Sequence, residues 1–378
     1  MTSAAALGGL VIADFSRVLA GPYATMLLGD LGAEVVKVEH PAGDDTRAWG
    51  PPFDASGAAT YFAGVNRNKR SVILDLHTPE GLAAARDLVR RADVVVENFR
   101  TGAMARLGLG PDQVRRDRPD LVYCSITGFG IGKGAALPGY DLLVQAVGGL
   151  MSITGPEPGR PTKVGVALVD VITGLHAAVG VLAALRHRDR TGQGQVVEVN
   201  LLSSLLSALT NQASGYLGAG VVPGIMGNSH PSIAPYEVFA TADRPLVLAI
   251  GNDRQFASLV TVLGKAELAV DPRFRTNTDR VAQRAALFDE LTTLLAGRRA
   301  GEWFDRLTEA GVPAGPINDL ADAFALATRL GLEPAVPVPG AASPAVANPI
   351  RMSETPPTYR LPPPPPPPRP GEDARRSG

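Results

Sequence analysis

The sequence predicts an α/β protein with a Rossmann-like large domain, built on a parallel sheet, and a smaller α+β domain. Three observations carry this. Over the first two hundred residues, short β-branched runs alternate with helical patterns, as expected of strands joined by helical crossovers. After residue 202 the chain turns Ser/Ala/Leu/Gly-rich, and a separate strand signal returns at residues 245–250. The length of 378 residues is about twice that of an ordinary domain.

Residues 10–15, rich in Leu, Val and Ile ahead of Asp14, read as the first strand. Residues 22–31 follow as a helix bracketed by Gly21 and Gly32. Residues 35–39 and 71–76 are the next strands. Thr78, Pro79 and Glu80 then open a helix, with an N-cap hydroxyl, a proline in the first turn and an acid at the positive helix end. Residues 93–97 and 121–126 complete the set. Ligands of such sheets bind beyond the carboxyl ends of the strands. The expected division is a large domain at 1–202, a linker at 203–227, a small domain at 228–310, a return to the large domain at 311–350 and a Pro-rich tail at 351–378. The seven prolines at 362–368 lack backbone donors and have a fixed φ, so they read as a solvated polyproline tail.

Composition excludes several function classes. Lys plus Arg number 36 against 37 Asp plus Glu, so no basic surplus draws the chain to nucleic acid or an anionic membrane. A lone cysteine, Cys124, rules out a disulfide framework and a cysteine metal cluster. The N-terminus has no cationic leader, and the most apolar stretch, 171–185, is shorter than the ~20 residues of a membrane span and contains His176. A soluble cytoplasmic protein is expected. The motifs of zinc proteases, P-loops and serine hydrolases are missing. The glycine cluster at 128–134 leads to Pro138 and Gly139 rather than into a helix, so it does not read as a dinucleotide site. Five scattered histidines give no metal-ligand spacing, and no metal is expected.

The most informative residue is Asp170, a single carboxylate in an apolar run. Burying it unpaired is costly. It reads either as the N-cap of a helix over 171–186 or as a nucleophile toward an activated acyl group, kept ionised by the helix terminus. The pattern leaves both open.

Eight blocks, in order, carry a resemblance. They include Asp14-Phe15-Ser16-Arg17-Val18-Leu19-Ala20-Gly21-Pro22, residues 29–39, Asn66-Arg67-Asn68-Lys69-Arg70-Ser71, Val96-Glu97-Asn98-Phe99, Gly139-Tyr140-Asp141, residues 191–195 and Asp271-Pro272-Arg273-Phe274. Over nearly its full length the chain resembles the family III CoA-transferases, the CaiB/BaiF type. Residues 44–53, 124–128, 149–157, 200–204 and 313–318 resemble the branch that moves CoA from succinyl-CoA to glutarate. The resemblance implies that Asp170 is catalytic, forming an aspartyl anhydride and then an aspartyl-CoA thioester. It implies a CoA site at Arg17, Val18, Ala20, Leu74, Leu76, Asn98, Phe99 and Arg106. Tyr140, Asp141, Gly227 and His230 would line the substrate pocket, the last two on a covering loop. His40 stands where some relatives carry a CoA-contacting Arg. The resemblance further implies an interlocked homodimer, acyl-CoA and carboxylate substrates, and no cofactor beyond the CoA thioester. Two other readings remain, an α-methylacyl-CoA racemase and a non-catalytic acyl-CoA-binding protein. The racemase family has a His where this chain has Tyr140, a poor base at neutral pH.

Overall fold

The computed structural model describes residues 5–367. Within them the chain forms two compact units. Unit 1 takes the residues up to Leu150, Val164–Val221 and those from Glu333; unit 2 takes Met151–Lys163 and Val222–Leu332.

Unit 1 runs β1 (Val11–Asp14), α1 (Ala20–Asp30), β2 (Glu34–Glu39), α2 (Thr60–Ala63), β3 (Lys69–Ile73), α3 (Pro79–Arg91) and β4 (Val94–Glu97). It continues through α4 (Ala103–Arg106), α5 (Pro111–Asp117), β5 (Val122–Thr127), α6 (Asp141–Val147), α7 (Leu168–Thr191), β6 (Val196–Asn200), α8 (Leu201–Ala208) and α9 (Thr210–Ala219). All six strands are parallel, in the order β3-β2-β1-β4-β5-β6. The order reverses between β1 and β4, which opens a crevice at the carboxyl ends of those two strands.

Side chains alternate across the sheet and feed a core on each face. Ile12, Val94, Val96, Val122 and Ile126 join α1 and α7 residues such as Leu28 and Val181 in one core. Ala13, Val95 and Tyr123 join Leu88 and Val89 of α3 in the other. All four residues of β4 are buried, as expected of a strand covered on both faces.

The apolar stretch expected at 171–185 is longer than it reads. α7 covers 24 residues and is long and apolar enough, by those criteria alone, to cross a membrane. In unit 1 its buried stripe of Val169, Thr173, Ala177, Val181 and Ala184 faces the core it shares with α1 and the sheet. Gly174 permits the contact: a Cβ there would lie 2.6 Å from the Ala20 carbonyl oxygen.

Unit 2 contains β7 (Tyr236–Phe239), β8 (Leu246–Ala249), α10 (Asp253–Val262), α11 (Asn277–Ala282), α12 (Arg284–Leu295), α13 (Ala300–Glu309), β9 (Ala314–Pro316) and α14 (Leu320–Arg329). Its sheet is antiparallel, β7-β8-β9, over a core of Phe239, Phe256, Phe274, Leu291, Trp303 and Leu307.

Three domain expectations change. Residues 203–221 are not a linker but the greater part of α8 and all of α9, with Leu201 and Leu205 in the unit 1 core. A composition that reads as linker is here helical, with Leu201, Ser204 and Leu205 on the buried face of α8. Residues 311–332 belong to unit 2, because β9 completes its sheet. Unit 2 also takes 151–163, a segment too short to signal its membership.

After the pair β10 (Ala335–Val336) and β11 (Ala345–Val346), the Pro-rich segment is not a free tail. Thr358 N–H donates to the Asp30 carbonyl at 2.8 Å, and Arg360 Nη2 donates to the carbonyls of Gly29 and Ala33. Asn68 N–H donates to the Leu361 carbonyl, and Arg47 Nη1 reaches the Pro364 carbonyl at 3.1 Å. Proline lacks a donor but keeps its acceptor, which Arg47 uses. The tail expected at 368–378 lies outside the described residues.

Gly174→Ala tests the α1–α7 contact. Helix propensity favours Ala by about 1 kcal/mol, but a carbonyl at 2.6 Å must be displaced, at an overpacking cost of about 1–3 kcal/mol. The variant is expected to melt below the wild type in a thermal denaturation scan.

Candidate active site

Fully buried charged residues shape the first part of the site: Asp14 at the end of β1, Lys37 level with it on β2, and Lys69 at the start of β3. Asp14, the last residue of β1, accepts from Ser16 N–H (3.0 Å), Thr25 Oγ1 (2.7 Å) and Lys69 Nζ (3.1 Å). Lys37 Nζ donates to the Ser16 carbonyl and to Asp44 Oδ2, both at 2.8 Å. Asp44 Oδ1 in turn accepts from the N–H and hydroxyl of Thr46 and from Val18 N–H at 3.4 Å. Burial works to raise both carboxyls. For Asp14 the Lys69 and Lys37 ammoniums outweigh it, and for Asp44 Lys37 does, so both stay below their ordinary range. Burial pulls Lys69 down to about 8.

This network holds the loop after β1 in an unusual conformation. Val18 has φ +67°, which a β-branched residue adopts at a cost of about 1–2 kcal/mol. The loop then meets β4. Arg17 N–H donates to Asn98 Oδ1 at 2.9 Å, Asn98 Nδ2 donates back to the Arg17 carbonyl at 2.7 Å, and the Arg17 guanidinium lies 5.7 Å from the Phe99 ring centre. Four of the residues expected to bind CoA, Arg17, Val18, Asn98 and Phe99, thus border the crevice between β1 and β4. Ala20 opens α1 and is buried. Leu74 and Leu76 follow β3, half-buried against the α3-side core. Arg106 is the exposed last residue of α4. His40 follows β2, its Nδ1 accepting from Ala42 N–H at 3.1 Å.

The second part of the site is the start of α7. The N-cap is Ala167, not Asp170, which lies in the first turn. The capping carboxylate comes from elsewhere in the chain: Asp141 Oδ1 accepts from Val169 N–H at 2.8 Å and Asp170 N–H at 3.2 Å. The Asp141 Oδ2 accepts from Gln145 Nε2 at 2.6 Å, and the buried Gln145 also accepts from Val164 N–H at 2.9 Å. Two glycines deliver Asp141. The loop after β5 crosses itself where a Cβ on Gly128 would lie 2.5 Å from Gly139 Cα, two residues before Asp141.

Asp170 is half-buried. Burial, then the Asp141 charge, raises its carboxyl to about 7. The expectation that the helix terminus keeps it ionised is corrected, because Asp141 occupies the N–H groups that would have stabilised Asp170. Tyr61 of α2 is pushed up by burial and then by the charges of Asp170, Asp141 and Asp44, which places its phenol among these carboxylates. The Trp49 ring meets Tyr61 edge-on at 5.3 Å. Tyr140, next to Asp141, is 64% exposed, so its ring is open to a ligand.

Gly227 and His230 belong to unit 2. There Gly227 has φ +60°, and His230 Nδ1 accepts from Ser232 N–H at 3.1 Å.

Residues 7–373 match the family described as CoA-transferase family III. The chain belongs to that family. It is 44% identical over 371 residues to the succinate–glutarate CoA-transferase of Agrobacterium fabrum, covering 94% of this chain and 92% of that one. It is 45% identical over 326 residues to the succinyl-CoA:glutarate CoA-transferase of Mus musculus, covering 86% of this chain and 74% of the mouse protein. A CaiB/BaiF family protein from Brucella suis shares its fold, with a TM-score of 0.86 and 44% identity over 96% of each chain. The mixed α/β fold and the CoA-transferase class expected from the sequence are those of the family.

Sequence reasoning gave no role to Lys37, Asp44, Tyr61, Lys69 or Gln145. Two of them carried a signal: a lysine inside Val-Val-Lys-Val and another opening a strand put charge where the pattern demands burial. Lys37→Met would leave Asp44 buried without its cation. A loss of about 3–5 kcal/mol of stability is expected in urea denaturation.

Proposed function

We propose that this CoA-transferase moves CoA from succinyl-CoA to glutarate or a closely similar dicarboxylate, through covalent intermediates on Asp170. The observation that carries the reading is a half-buried carboxylate in the first turn of α7, raised by burial and by the Asp141 carboxylate that caps the same turn. The names of the Agrobacterium and mouse relatives support the choice of acids.

In this reading an Asp170 carboxylate oxygen attacks the donor thioester carbon. The C–S bond breaks, CoA leaves as thiolate, and a mixed anhydride remains. The thiolate attacks the Asp170 acyl carbon, expelling the donor acid as its carboxylate and leaving an aspartyl-CoA thioester. The acceptor carboxylate repeats the sequence in reverse: it forms its own anhydride with Asp170 and releases thiolate. That thiolate then takes the acceptor acyl group and frees Asp170. Each step exchanges one nucleophile for another, so the chemistry draws on no cofactor besides CoA. The anhydrides require a dry pocket.

We place the enzyme in the cytoplasm, a reading supported by its single cysteine, and as a homodimer. Leu175, Val179 and Leu182 form an exposed apolar stripe along α7, and Leu206, Tyr216 and Leu217 extend the apolar surface on α8 and α9. Such a surface suits a second copy. Val179→Asp is expected to shift sedimentation from dimer toward monomer; an unchanged dimer would count against this stripe as the interface.

Mass spectrometry of products after incubation with succinyl-CoA and glutarate tests the function. Glutaryl-CoA is expected from the wild type and none from Asp170→Asn. No transfer to glutarate or to other dicarboxylates would overturn the reading. Because the nucleophile must be ionised, kcat/KM should climb with pH to a plateau, with a midpoint of about 7.

Stability should run the other way. Folding raises the Asp170 value from 3.8 to about 7, so the native state holds this proton more tightly and is destabilised as pH rises through that window. Asp170→Asn lacks the penalty. It should be more stable than the wild type above pH about 7, with the difference vanishing below about 4.

A further inference from the structure

We infer that Asp141 is the positioning residue for Asp170, holding its backbone through one carboxylate oxygen and setting a fixed like charge beside its side chain. The inference rests on Asp170 being the nucleophile. Its geometry is independent of that reading. Asp141 Oδ1 takes the N–H groups of Val169 and Asp170, and Oδ2 takes Gln145 Nε2, so three donors fix one carboxylate. Gln145 is buried and is itself oriented by Val164 N–H. The Gly128–Gly139 crossing fixes where this carboxylate enters.

The charge has a consequence for the reaction. Asp170 is an anion only before the first attack and after the last. In the anhydrides and in the aspartyl-CoA thioester, its acyl carbon is bonded to a neutral oxygen bridge or to sulfur, and the negative charge has passed to thiolate or to a released carboxylate. Repulsion between Asp141 and Asp170 therefore raises the free carboxylate and spares the anhydrides and the thioester, which are neutral at the Asp170 acyl carbon. Asp141 favours acylation without touching the acyl group.

The other ionisable groups at this end of α7 are few. Tyr61 on α2 feels Asp170, Asp141 and Asp44. Tyr23 of α1, which packs at Gly174, is influenced by Arg67 and Asp30. His176 is further along α7 and is engaged with Ser204 Oγ. It is Asp141 that raises the Asp170 carboxyl beyond the effect of burial.

Asp141→Asn removes the charge and keeps an acceptor for the helix N–H groups. Adding Gln145→Glu to it goes further: the carboxylate introduced at position 145 can accept from the amide introduced at position 141 and from Val164 N–H, returning the charge one side chain away. Two measurements apply to wild type and variants. One is the pH midpoint of kcat/KM. The other is the fraction of protein carrying a CoA adduct, read by intact mass spectrometry after incubation with succinyl-CoA.

The single variant is expected to move the midpoint down by about one pH unit and to lower the adduct fraction several-fold. The double variant should recover part of each. Equal midpoints and equal adduct fractions in wild type and folded variants would overturn the inference. Should the single variant not fold, the double variant alone decides: a midpoint and adduct fraction equal to the wild type's would overturn it, and intermediate values would support it. No adduct on the wild type itself would instead sink the covalent reading on which this rests.

Discussion

Two buried lysines hold the carboxyl edge of this sheet in place. Lys37 and Lys69 arise on neighbouring strands, and each is fully withdrawn from solvent. A buried ammonium is tolerable only when its donors are answered. The answers come from Asp14 at the end of β1, from the Ser16 carbonyl, from Asn66 Oδ1 and the Pro22 carbonyl, and from Asp44 in the loop after β2. Satisfying two cations thereby fixes two loops. One carries Arg17 and Val18 to Asn98; another carries Thr46 and Arg47, and through them Trp49, toward Tyr61. The strained φ of Val18 persists because this lattice over-determines it.

The carboxylates of unit 1 divide by what surrounds them. Asp14, Asp44 and Glu39 are buried too, yet cations and hydroxyls hold all three below their ordinary range. Those three are scaffold. Asp170 is raised by burial and then by a second carboxylate, Asp141, so it moves the other way. Glu97, at the end of β4, is raised by burial against the donors Ser125 Oγ and Phe99 N–H. Carboxylates buried in one unit thus diverge according to the charges and donors around them.

Much of this was legible in the chain. The capping signal at Thr78-Pro79-Glu80 and the strand of valines at β4 follow from local periodicity and stand where the pattern put them. By contrast, β3 begins at Lys69 rather than Ser71 and ends at Ile73, and the sixth strand, Val196–Asn200, was not read as one. Asp170 was legible as an anomaly. Its cap was not, because the capping oxygen belongs to Asp141, 29 residues earlier, and local patterns do not report such a partner. Tyr61 escaped for the same reason: its neighbours are carboxylates from three separate segments. The domain limits failed where composition and packing diverge. The small residues of α8 and α9 resemble a linker, and β9 is only three residues long.

The docked proline segment bears on a different liability. β3 is the outermost strand at one side of the sheet, and an open strand edge is a template for pairing with other chains. The segment meets the residue before this edge through Asn68 N–H and the Leu361 carbonyl, and by Pro364 it has reached Arg47. Pro362 to Pro367 have no N–H to offer, so a strand arriving from another molecule finds no ladder to extend along them. A run that reads as low complexity thus lies beside the start of the outermost strand as a selvedge that offers no donors of its own.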